Sequence, residues 1–358
     1  MFRSLFDRNS CHNRVRRLCA RKEIIIMKAI LIGNGFISEV HRNAYKAFKE
    51  EGKDIELIAI CDVRPEMLEK NDGQRLYTDV DEMLAKETEA DFVDICVPTY
   101  LHAELSIKCM KAGFHVICEK PMALNMEDCE KMIACSRETG KKLMIAQCSR
   151  FGKDMIIMKR FIEEGTFGKP VSAFFNAADG LPTWGFENWF ADADRSGSCM
   201  LDLQAHTIDL INWYFGIPNM TSTVAKQCAP DFTGYGSLSS NLVYDNGLFV
   251  HVWCDWGVPN NIHDNRTIRI NFENGYIIRK PALSLLEAVS YADGKVTDLS
   301  DRYRAVKSSY RDEIEYFADC VANGEPFDHC PPEETKNVLA VMRAQERSAD
   351  NNGAPIQI

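Results

Sequence analysis

A lysine, an aspartate and a histidine in this sequence are of the types that together remove a proton from a hydroxyl group. His206 follows Asp202 by four residues in the stretch SGSCMLDLQAHTIDLINWYFG (196–216). If this stretch is helical, both side chains share one face, and the carboxylate can orient the imidazole or stabilise its charged form. A histidine pKa of about 6.5 suits a general base near neutral pH. Lys120, in CEKPMA (118–123), could stabilise a developing alkoxide.

The same pair has a structural interpretation. A histidine on an amphipathic helix more often serves the fold than catalysis, since a buried polar ring needs only a hydrogen-bond partner. Asp209, three residues past His206, could extend a catalytic network or could be purely structural.

A glycine turn near the start of the sequence could cradle a dinucleotide. In ILIGNGFISEVHRNAY (30–45), an apolar run leads to Gly33 and Gly35 and then to a helical pattern. The turn's N–H groups, with those of Phe36 and Ile37 where the helix begins, would face a pyrophosphate. Ser38 stands where a third glycine is usual and is small enough to let the helix pack on the strand.

The end of the second predicted strand indicates which dinucleotide would bind. Asp62 lies 29 residues after Gly33, where an acid can accept hydrogen bonds from the adenosine ribose, and it therefore favours NAD. Arg64 could pair with a 2′-phosphate, so NADP is the less favoured alternative. Asp62 could instead only cap a helix at Pro65.

Alternating strands and helices position these residues in the first half of the chain. The pattern predicts strands at 28–33, 55–62, 91–97, 115–119 and 142–147, and helices near 36–50, 79–87, 101–112 and 126–140, the last with Gly140 as its C-cap. This alternation is typical of a doubly wound parallel sheet, the Rossmann fold. We therefore predict an NAD(P)-binding domain over 27–149.

After Arg150 the pattern changes to consecutive strands. Turn signals at 245–247 and 273–275 separate strand-like stretches, and helical stretches at 308–322 and 332–350 close the chain. The second half, 150–358, is predicted to be an α+β domain with a large, mainly antiparallel sheet that binds substrate and mediates oligomerisation.

Composition and charge are those of an ordinary globular protein without a nucleic-acid or membrane partner. The 358 residues are 46% hydrophobic and 26% charged, and no apolar run reaches the ~18 residues that span a bilayer. The net charge is −10, and residues 1–26 carry seven Lys/Arg against two acids. The acidic remainder argues against nucleic acid. Residues 1–26 are predicted to be a disordered or artefactual extension, with an Arg-rich targeting segment as the alternative.

The fourteen cysteines do not have metal-binding spacing. None form a C-x-x-C pair, and several lie in or at the ends of apolar runs: Cys61, Cys96, Cys118 and Cys148. Reduced thiols in the core of a cytoplasmic protein, with no metal site, are the expectation.

Four stretches together give the chain a resemblance to a known family. GNGFISEVH, VPTYLHAE (97–104), CEKPMA and the 196–216 stretch are similar to those of the Gfo/Idh/MocA oxidoreductases, which include glucose–fructose oxidoreductase and inositol dehydrogenase. The resemblance covers nearly all of 27–358. It implies a carbohydrate or polyol substrate and a homo-oligomer, a dimer or tetramer formed through the sheet of the second domain.

The resemblance also implies roles for individual residues. Lys120 would reach the reacting carbinol, and Asp202 and His206 would complete the catalytic site. Pro121 matches a proline that often follows a cis peptide bond. Pro98, Thr99 and His102 match a loop along the nicotinamide ribose, and Glu119 joins the cofactor-binding set. Departures occur at Tyr100 and at Ser198-Cys199, and they put the substrate in doubt more than the chemistry.

Two further features have both a substrate-binding and a structural interpretation. GLPTWGFENWF (180–190) contains Trp184, Phe186, Trp189 and Phe190, whose faces suit a sugar or cyclitol ring but also suit loop packing or a subunit contact. Arg150, between the predicted domains, could contact substrate or cofactor, or could form an interdomain salt bridge.

Three functions are compatible with this sequence. The first is an NAD(H)-dependent dehydrogenase of a ring hydroxyl in a sugar, glycoside or cyclitol. The second is a glycoside-cleaving or epimerising enzyme in which the oxidation is transient. The third is a non-catalytic NAD(P) sensor, which has no chemical need of Lys120, Asp202 and His206.

Overall fold

The first sheet has the predicted doubly wound topology. A computed structural model describes residues 26–259, 266–302 and 308–358, so the predicted extension over 1–26 lies almost entirely outside the described residues. The elements of the first half are β1 (Met27–Ile32), α1 (Phe36–Glu50), β2 (Ile55–Cys61), β3 (Arg75–Tyr77), α2 (Val80–Lys86), β4 (Phe92–Ile95), α3 (His102–Lys111), β5 (His115–Glu119), α4 (Met126–Thr139) and β6 (Leu143–Ala146). All strand pairs are parallel, in the order β3-β2-β1-β4-β5-β6.

The predicted elements of this half are confirmed, with small shifts at their ends. Gly140 is the left-handed C-cap of α4, at φ 66°. The structure adds β3, which the sequence did not indicate because it has only three residues, all exposed or half-buried. The chain order reverses between β1 and β4, and the crevice at the carboxyl ends of these strands is where ligands bind in such sheets.

The second half forms a larger sheet. Its elements are α5 (Lys153–Glu163), β7 (Pro170–Ala178), α6 (Ala193–Ser196), α7 (Ser198–Leu201), α8 (Ala205–Phe215), β8 (Met220–Lys226), β9 (Ser237–Val243), β10 (Phe249–Asp255), β11 (Ile268–Phe272), β12 (Gly275–Lys280), β13 (Leu285–Ser290), β14 (Val296–Asp298), α9 (Ser309–Asn323), α10 (Pro332–Asp350) and β15 (Ile356–Gln357). The sheet order is β14-β13-β12-β11-β7-β10-β9-β8-β15, and only β7 and β10 pair in parallel among the described strands.

The last two helices connect the two sheets. The Phe317 ring of α9 contacts Phe92 of β4 at 5.2 Å between centroids, and both belong to the core cluster under the first sheet. α10 packs instead against α8 and β8 of the second sheet and against α4 and β6 of the first. Through α9 and α10 the chain thus returns to the first sheet before its last strand, β15, joins the second sheet. No helix in the described part of the chain is long and apolar enough to cross a membrane.

Candidate active site

Lys120 lies immediately after β5 and forms an ion pair with Asp202. Its ammonium is 3.0 Å from a carboxylate oxygen of Asp202 and donates a second hydrogen bond to the backbone oxygen of the same residue. Both side chains are 15% exposed, so the pair is largely screened from solvent yet open on one side. The Lys120–Pro121 peptide bond is cis, as the sequence led us to expect.

Asp202 and His206 are not paired with each other. α7 ends at Leu201 and α8 begins at Ala205, so residues 202–204 form a turn rather than one continuous helix. The i, i+4 face expected for this pair is therefore wrong: the Asp202 carboxylate contacts Lys120, and no hydrogen bond joins it to His206, although the structure describes both. A left-handed pair, Gly197 at φ 73° and Ser198 at φ 60°, begins α7 just before this break.

His206 is a neutral imidazole with an unused nitrogen. Its Nδ1 is buried and has no hydrogen-bond partner among the described residues. Burial lowers the pKa of His206 well below its usual value, and the positive charges of Lys120 and Arg266 lower it further. A ring that is unprotonated at neutral pH can accept a proton, which is the requirement for a general base.

The glycine turn fits a dinucleotide. At Gly33 a Cβ would lie 2.3 Å from the Cys96 backbone oxygen, and φ is +91°, so only glycine is compatible with this crossing of β1 and β4. At Gly35 the space is open, the nearest atom to a Cβ being an Arg64 nitrogen at 3.9 Å. Gly35 is the N-cap of α1 and provides no side-chain cap. The N–H groups of the first turn, at Phe36 and Ile37, are thus free of any cap and suit a phosphate.

Ser38 replaces the third glycine without disturbing the turn. Its side chain is fully buried, and its hydroxyl donates a 2.6 Å hydrogen bond to the Gly35 backbone oxygen. The helix can therefore pack closely on the sheet with serine at this position, as predicted.

Asp62 lies at the end of β2, as predicted, but its carboxylate oxygens already accept hydrogen bonds from N–H groups of the protein. Its carboxylate accepts from the backbone N–H groups of Asn34 and Arg64 and from the Arg64 guanidinium, at 2.7–2.9 Å. Burial alone would raise the pKa of Asp62, but these hydrogen bonds outweigh it and the pKa is lowered. The following 3₁₀ turn has Arg64 as its N-cap, so the alternative that Asp62 caps it is wrong.

Two side chains that were expected to contact the cofactor instead form hydrogen bonds within the protein. His102 is 1% exposed, and its two ring nitrogens lie 2.8 and 2.9 Å from the backbone oxygens of Pro121 and Val97. It joins the loop after β4, which contains Pro98 and Thr99, to the turn at Lys120. The Glu119 carboxylate contacts His41 and accepts the Lys120 backbone N–H. Neither side chain is free to contact a cofactor, which corrects both assignments.

Arg150 is a structural residue rather than a substrate contact. It is 1% exposed, and its guanidinium forms a two-pronged ion pair with Asp209 at 2.7 and 2.8 Å. It also contacts Glu334 and the His329 backbone oxygen. Arg150 therefore forms a salt bridge, but Asp209, His329 and Glu334 all lie in 150–358, so it does not join the two predicted domains. Asp209 belongs to this ion pair rather than to a network around His206.

The aromatic segment, residues 184–190, divides into a buried and an exposed part. Trp189 is 9% exposed and stacks on Phe190 at 3.8 Å between ring centroids, so it has no free face for a sugar and its assignment to substrate is corrected. Trp184 is exposed and contacts Phe36 at the glycine turn, at 4.5 Å. Phe186 lies 4.5 Å from the Arg64 guanidinium. The exposed part thus borders the dinucleotide crevice.

The sequence analysis missed a buried polar cluster behind Lys120. His41 of α1 lies between Asp94 of β4, at 2.9 Å, and Glu119, at 3.0 Å, and Glu313 of α9 is fully buried beside them. The signal was present, because His41 occupies the same helix face as the buried Ala44, Tyr45 and Phe48. A polar side chain on such a face requires a buried partner.

Comparisons with known proteins agree with this geometry. A family model described as oxidoreductase family, NAD-binding Rossmann fold, matches residues 27–147, and the GFO/IDH/MocA C-terminal domain matches residues 155–278. The chain is 33% identical over 195 residues to myo-inositol 2-dehydrogenase of Thermotoga maritima, a match spanning 53% of this chain and only about half, 55%, of that relative. It is 24% identical over 349 residues to D-glucoside 3-dehydrogenase of Escherichia coli, with 90% and 95% covered.

Solved structures agree on the fold. An oxidoreductase from Agrobacterium radiobacter, in complex with NAD+, L-tartaric acid and magnesium, superposes with a TM-score of 0.81 at 22% identity. The superposition covers 93% of this chain and 98% of that one. At this level of identity the likeness establishes the shared architecture of two sheets.

Proposed function

This chain belongs to the Gfo/Idh/MocA oxidoreductase family, and on that premise we propose that it is an NAD(H)-dependent dehydrogenase of a ring secondary hydroxyl in a sugar, glycoside or cyclitol. The observation that carries the proposal is the Lys120–Asp202 ion pair beside the neutral His206, at the carboxyl edge of the first sheet. The similarity to an inositol dehydrogenase and a glucoside dehydrogenase supports this substrate class.

The cofactor is NAD, and the glycine turn is the site that fits it. Gly33, Gly35 and the N–H groups of Phe36 and Ile37 would hold the pyrophosphate, and Asp62 would accept a ribose hydroxyl in place of one of its present Arg64 donors. Pro98 and Thr99, after β4, would lie along the nicotinamide end. When bound, NAD supplies the acceptor for the hydride that leaves the substrate carbon.

Three side chains divide the remaining chemistry. His206 takes the hydroxyl proton, because its lowered pKa favours the unprotonated ring and the residue is half-exposed. Its Nδ1 is buried, which leaves Nε2 as the nitrogen that faces the substrate. The Lys120 ammonium stabilises the negative charge that develops on the substrate oxygen. Asp202 fixes the ammonium by a 3.0 Å contact and so determines where that charge is stabilised. In the reductive direction the same groups act in reverse, with His206 returning the proton.

We also propose a homo-oligomer formed through the outer face of the second sheet. On that face Phe174 of β7 stacks on His251 of β10, and Trp253 lies beside them at a hollow that Lys280 and Leu283 also line. Half-exposed aromatic side chains on a broad sheet are typical of a subunit contact.

The twelve described cysteines are all free, and eleven are buried, which supports a protein folded in a reducing cytoplasm.

The substrate class is tested by product analysis at high protein concentration. Purified protein is mixed in near-stoichiometric amount with NAD or NADP and a panel of sugars, O- and C-glycosides and cyclitols. Reduced-nicotinamide absorbance and product masses are recorded together. A loss of two hydrogens from one substrate with formation of NADH supports the dehydrogenase. Release of an aglycone without net NADH would establish the transient-oxidation alternative, and nucleotide binding without any mass change would contradict both.

A further inference from the structure

Arg64 is held on two sides at the point where the two nicotinamide cofactors differ. Its Nε and one terminal nitrogen each donate a 2.9 Å hydrogen bond to Asp62, one to each carboxylate oxygen. Its central carbon lies 4.5 Å from the centre of the Phe186 ring. The guanidinium is thus fixed at its edge by the carboxylate and on its face by the ring.

Phe186 comes from the second half of the chain and is fixed there. It begins the 3₁₀ segment Phe186–Ala191, in which Glu187 and Asn188 have left-handed backbone angles, φ 49° and 51°. The segment is anchored by the buried Trp189 and Phe190, and Arg195 donates to the Glu187 backbone oxygen. The ring's position over Arg64 is therefore set by the second domain rather than by the nucleotide-binding half.

NAD and NADP, which differ at the 2′ position, require different positions of the Arg64 side chain relative to Asp62. A free 2′-hydroxyl needs only one acceptor position on Asp62, which Arg64 can release while its other nitrogen stays paired. A 2′-phosphate is repelled by the carboxylate and needs Arg64 turned away from Asp62 and towards the phosphate. We propose that Phe186 is a specificity-determining residue that favours NAD over NADP by keeping Arg64 on Asp62. This inference rests on the cofactor assignment made above and not on the identity of the substrate.

Removal of the Phe186 ring should change the affinity for NADP more than the affinity for NAD. Without Phe186, Arg64 loses its contact on one face but keeps a flexible side chain that can reach a 2′-phosphate. The affinity for NADP therefore rises while that for NAD changes little. A cation–ring contact of this exposure corresponds to about a two- to fivefold change in a binding constant.

Nucleotide binding tests this proposal without any substrate. The dissociation constants of NAD and NADP are measured by calorimetry for the wild type, Phe186→Ala, Phe186→Leu and Phe186→Tyr. Because Phe186 is 40% exposed, these substitutions leave the core intact. Tyr291→Ala, at an exposed ring near the edge of the second sheet, is the matched control. Arg64→Met alone and combined with Phe186→Ala completes a double-mutant cycle.

The expected result is about a two- to fivefold fall in the ratio of the NADP constant to the NAD constant in Phe186→Ala and Phe186→Leu. Phe186→Tyr, which keeps the ring, and Tyr291→Ala should retain the wild-type ratio. The fall should vanish in the Arg64→Met background. An unchanged ratio in Phe186→Ala with both nucleotides bound, or a fall that persists without Arg64, would overturn the proposal. Wild-type protein that binds neither nucleotide would instead refute the cofactor assignment itself.

Discussion

Asp202 shows how a correct choice of residues can accompany a wrong choice of partners. The four-residue spacing to His206 predicted a shared helix face, but the helix breaks after Leu201 and the carboxylate turns to Lys120. Sequence spacing alone could not reveal this, because residues 202–204, Asp-Leu-Gln, contain no glycine or proline that would indicate a helix break. The residue types were predictable from chemistry, whereas their pairing required coordinates.

Asp202 is expected to act through Lys120. Asp202→Asn retains a hydrogen-bond acceptor but removes the charge that fixes the ammonium, so kcat/KM should fall by about a hundredfold. Asp202→Ala should cost about tenfold more, since the acceptor is lost as well. Steady-state kinetics with the substrate that the panel identifies measure this loss, and the NAD dissociation constant serves as the control. A kcat/KM within threefold of wild type in Asp202→Ala would contradict this role.

His206 should make the protein less stable in acid. Its folded pKa is depressed, so below about pH 6.5 the unfolded chain binds a proton that the folded protein does not. The free energy of unfolding therefore falls with decreasing pH, by up to about 1.4 kcal/mol per pH unit from this group. Urea unfolding of wild type and His206→Gln between pH 7.5 and 5.5 should give a smaller loss in the variant.

The difference between the two curves isolates His206 from the other histidines. Burial lowers the pKa of His102, and His115 has a pKa lowered to about 4 by burial and by Lys141 and Lys142, so both contribute the same slope to both proteins. Parallel curves for wild type and His206→Gln would mean that His206 titrates normally in the folded protein.

At the scale of elements, α1 links the glycine turn to β5, the strand that precedes Lys120. Its first residues form the phosphate end of the site, and His41 further along contacts Asp94 of β4 and Glu119 of β5. Burial alone would lower the pKa of His41, but the negative charge of Asp94 raises it well above its usual value. Burial and the charge of Glu119 raise the pKa of Glu313. The cluster thus favours the charged form of the His41 imidazole and the neutral form of the Glu313 carboxyl.

Removal of His41 should be strongly destabilising. His41→Ala leaves two buried carboxylates without their cation, which typically costs about 3–5 kcal/mol. Because the folded pKa of His41 is raised, its contribution is fully present below about pH 6.5 and is lost as pH rises through the folded pKa. Urea unfolding at pH 6 measures the loss, with Asn43→Ala on the exposed face of the same helix as control. A loss below about 1 kcal/mol would contradict an ionic role for His41.

Periodicity predicted the elements better than it predicted their short connections. The five strands that were expected in the first half are confirmed because each is a buried apolar run, and β3 was missed because it has neither length nor burial. The order of the second sheet was not predictable, since β7 pairs with β10 and β11, both far along the chain. Local patterns do not contain such long-range pairings.

At the scale of the whole molecule, the chain crosses between its two halves more than once. α9 returns to the first sheet, and α10 packs against both. The Lys120–Asp202 ion pair also joins the two halves, since Lys120 follows β5 and Asp202 follows α7. The sequence indicated two halves but not this interleaving, because the helical pattern of 308–322 does not reveal which sheet it covers.

The proposed oligomer is tested on the outer face of the second sheet. Trp253→Arg and Phe174→Asp place charges on a face expected to be buried between subunits, so they should shift the protein to monomers. Light scattering coupled to size-exclusion chromatography measures the mass, and Tyr291→Asp, at the far edge of the same sheet, serves as the control. An unchanged mass in both face variants would place the contact elsewhere.

The most direct test of the dehydrogenase assignment is the transfer of deuterium from substrate to cofactor. A ring-deuterated member of the substrate class identified by the panel is incubated with protein and NAD in a single turnover, and the reduced nicotinamide is examined by mass spectrometry. The account predicts NADH that is heavier by one deuterium with the wild type and none with Lys120→Met, although both proteins bind NAD equally well. Equal transfer by Lys120→Met, or product formed by the wild type without label in the nicotinamide, would contradict it.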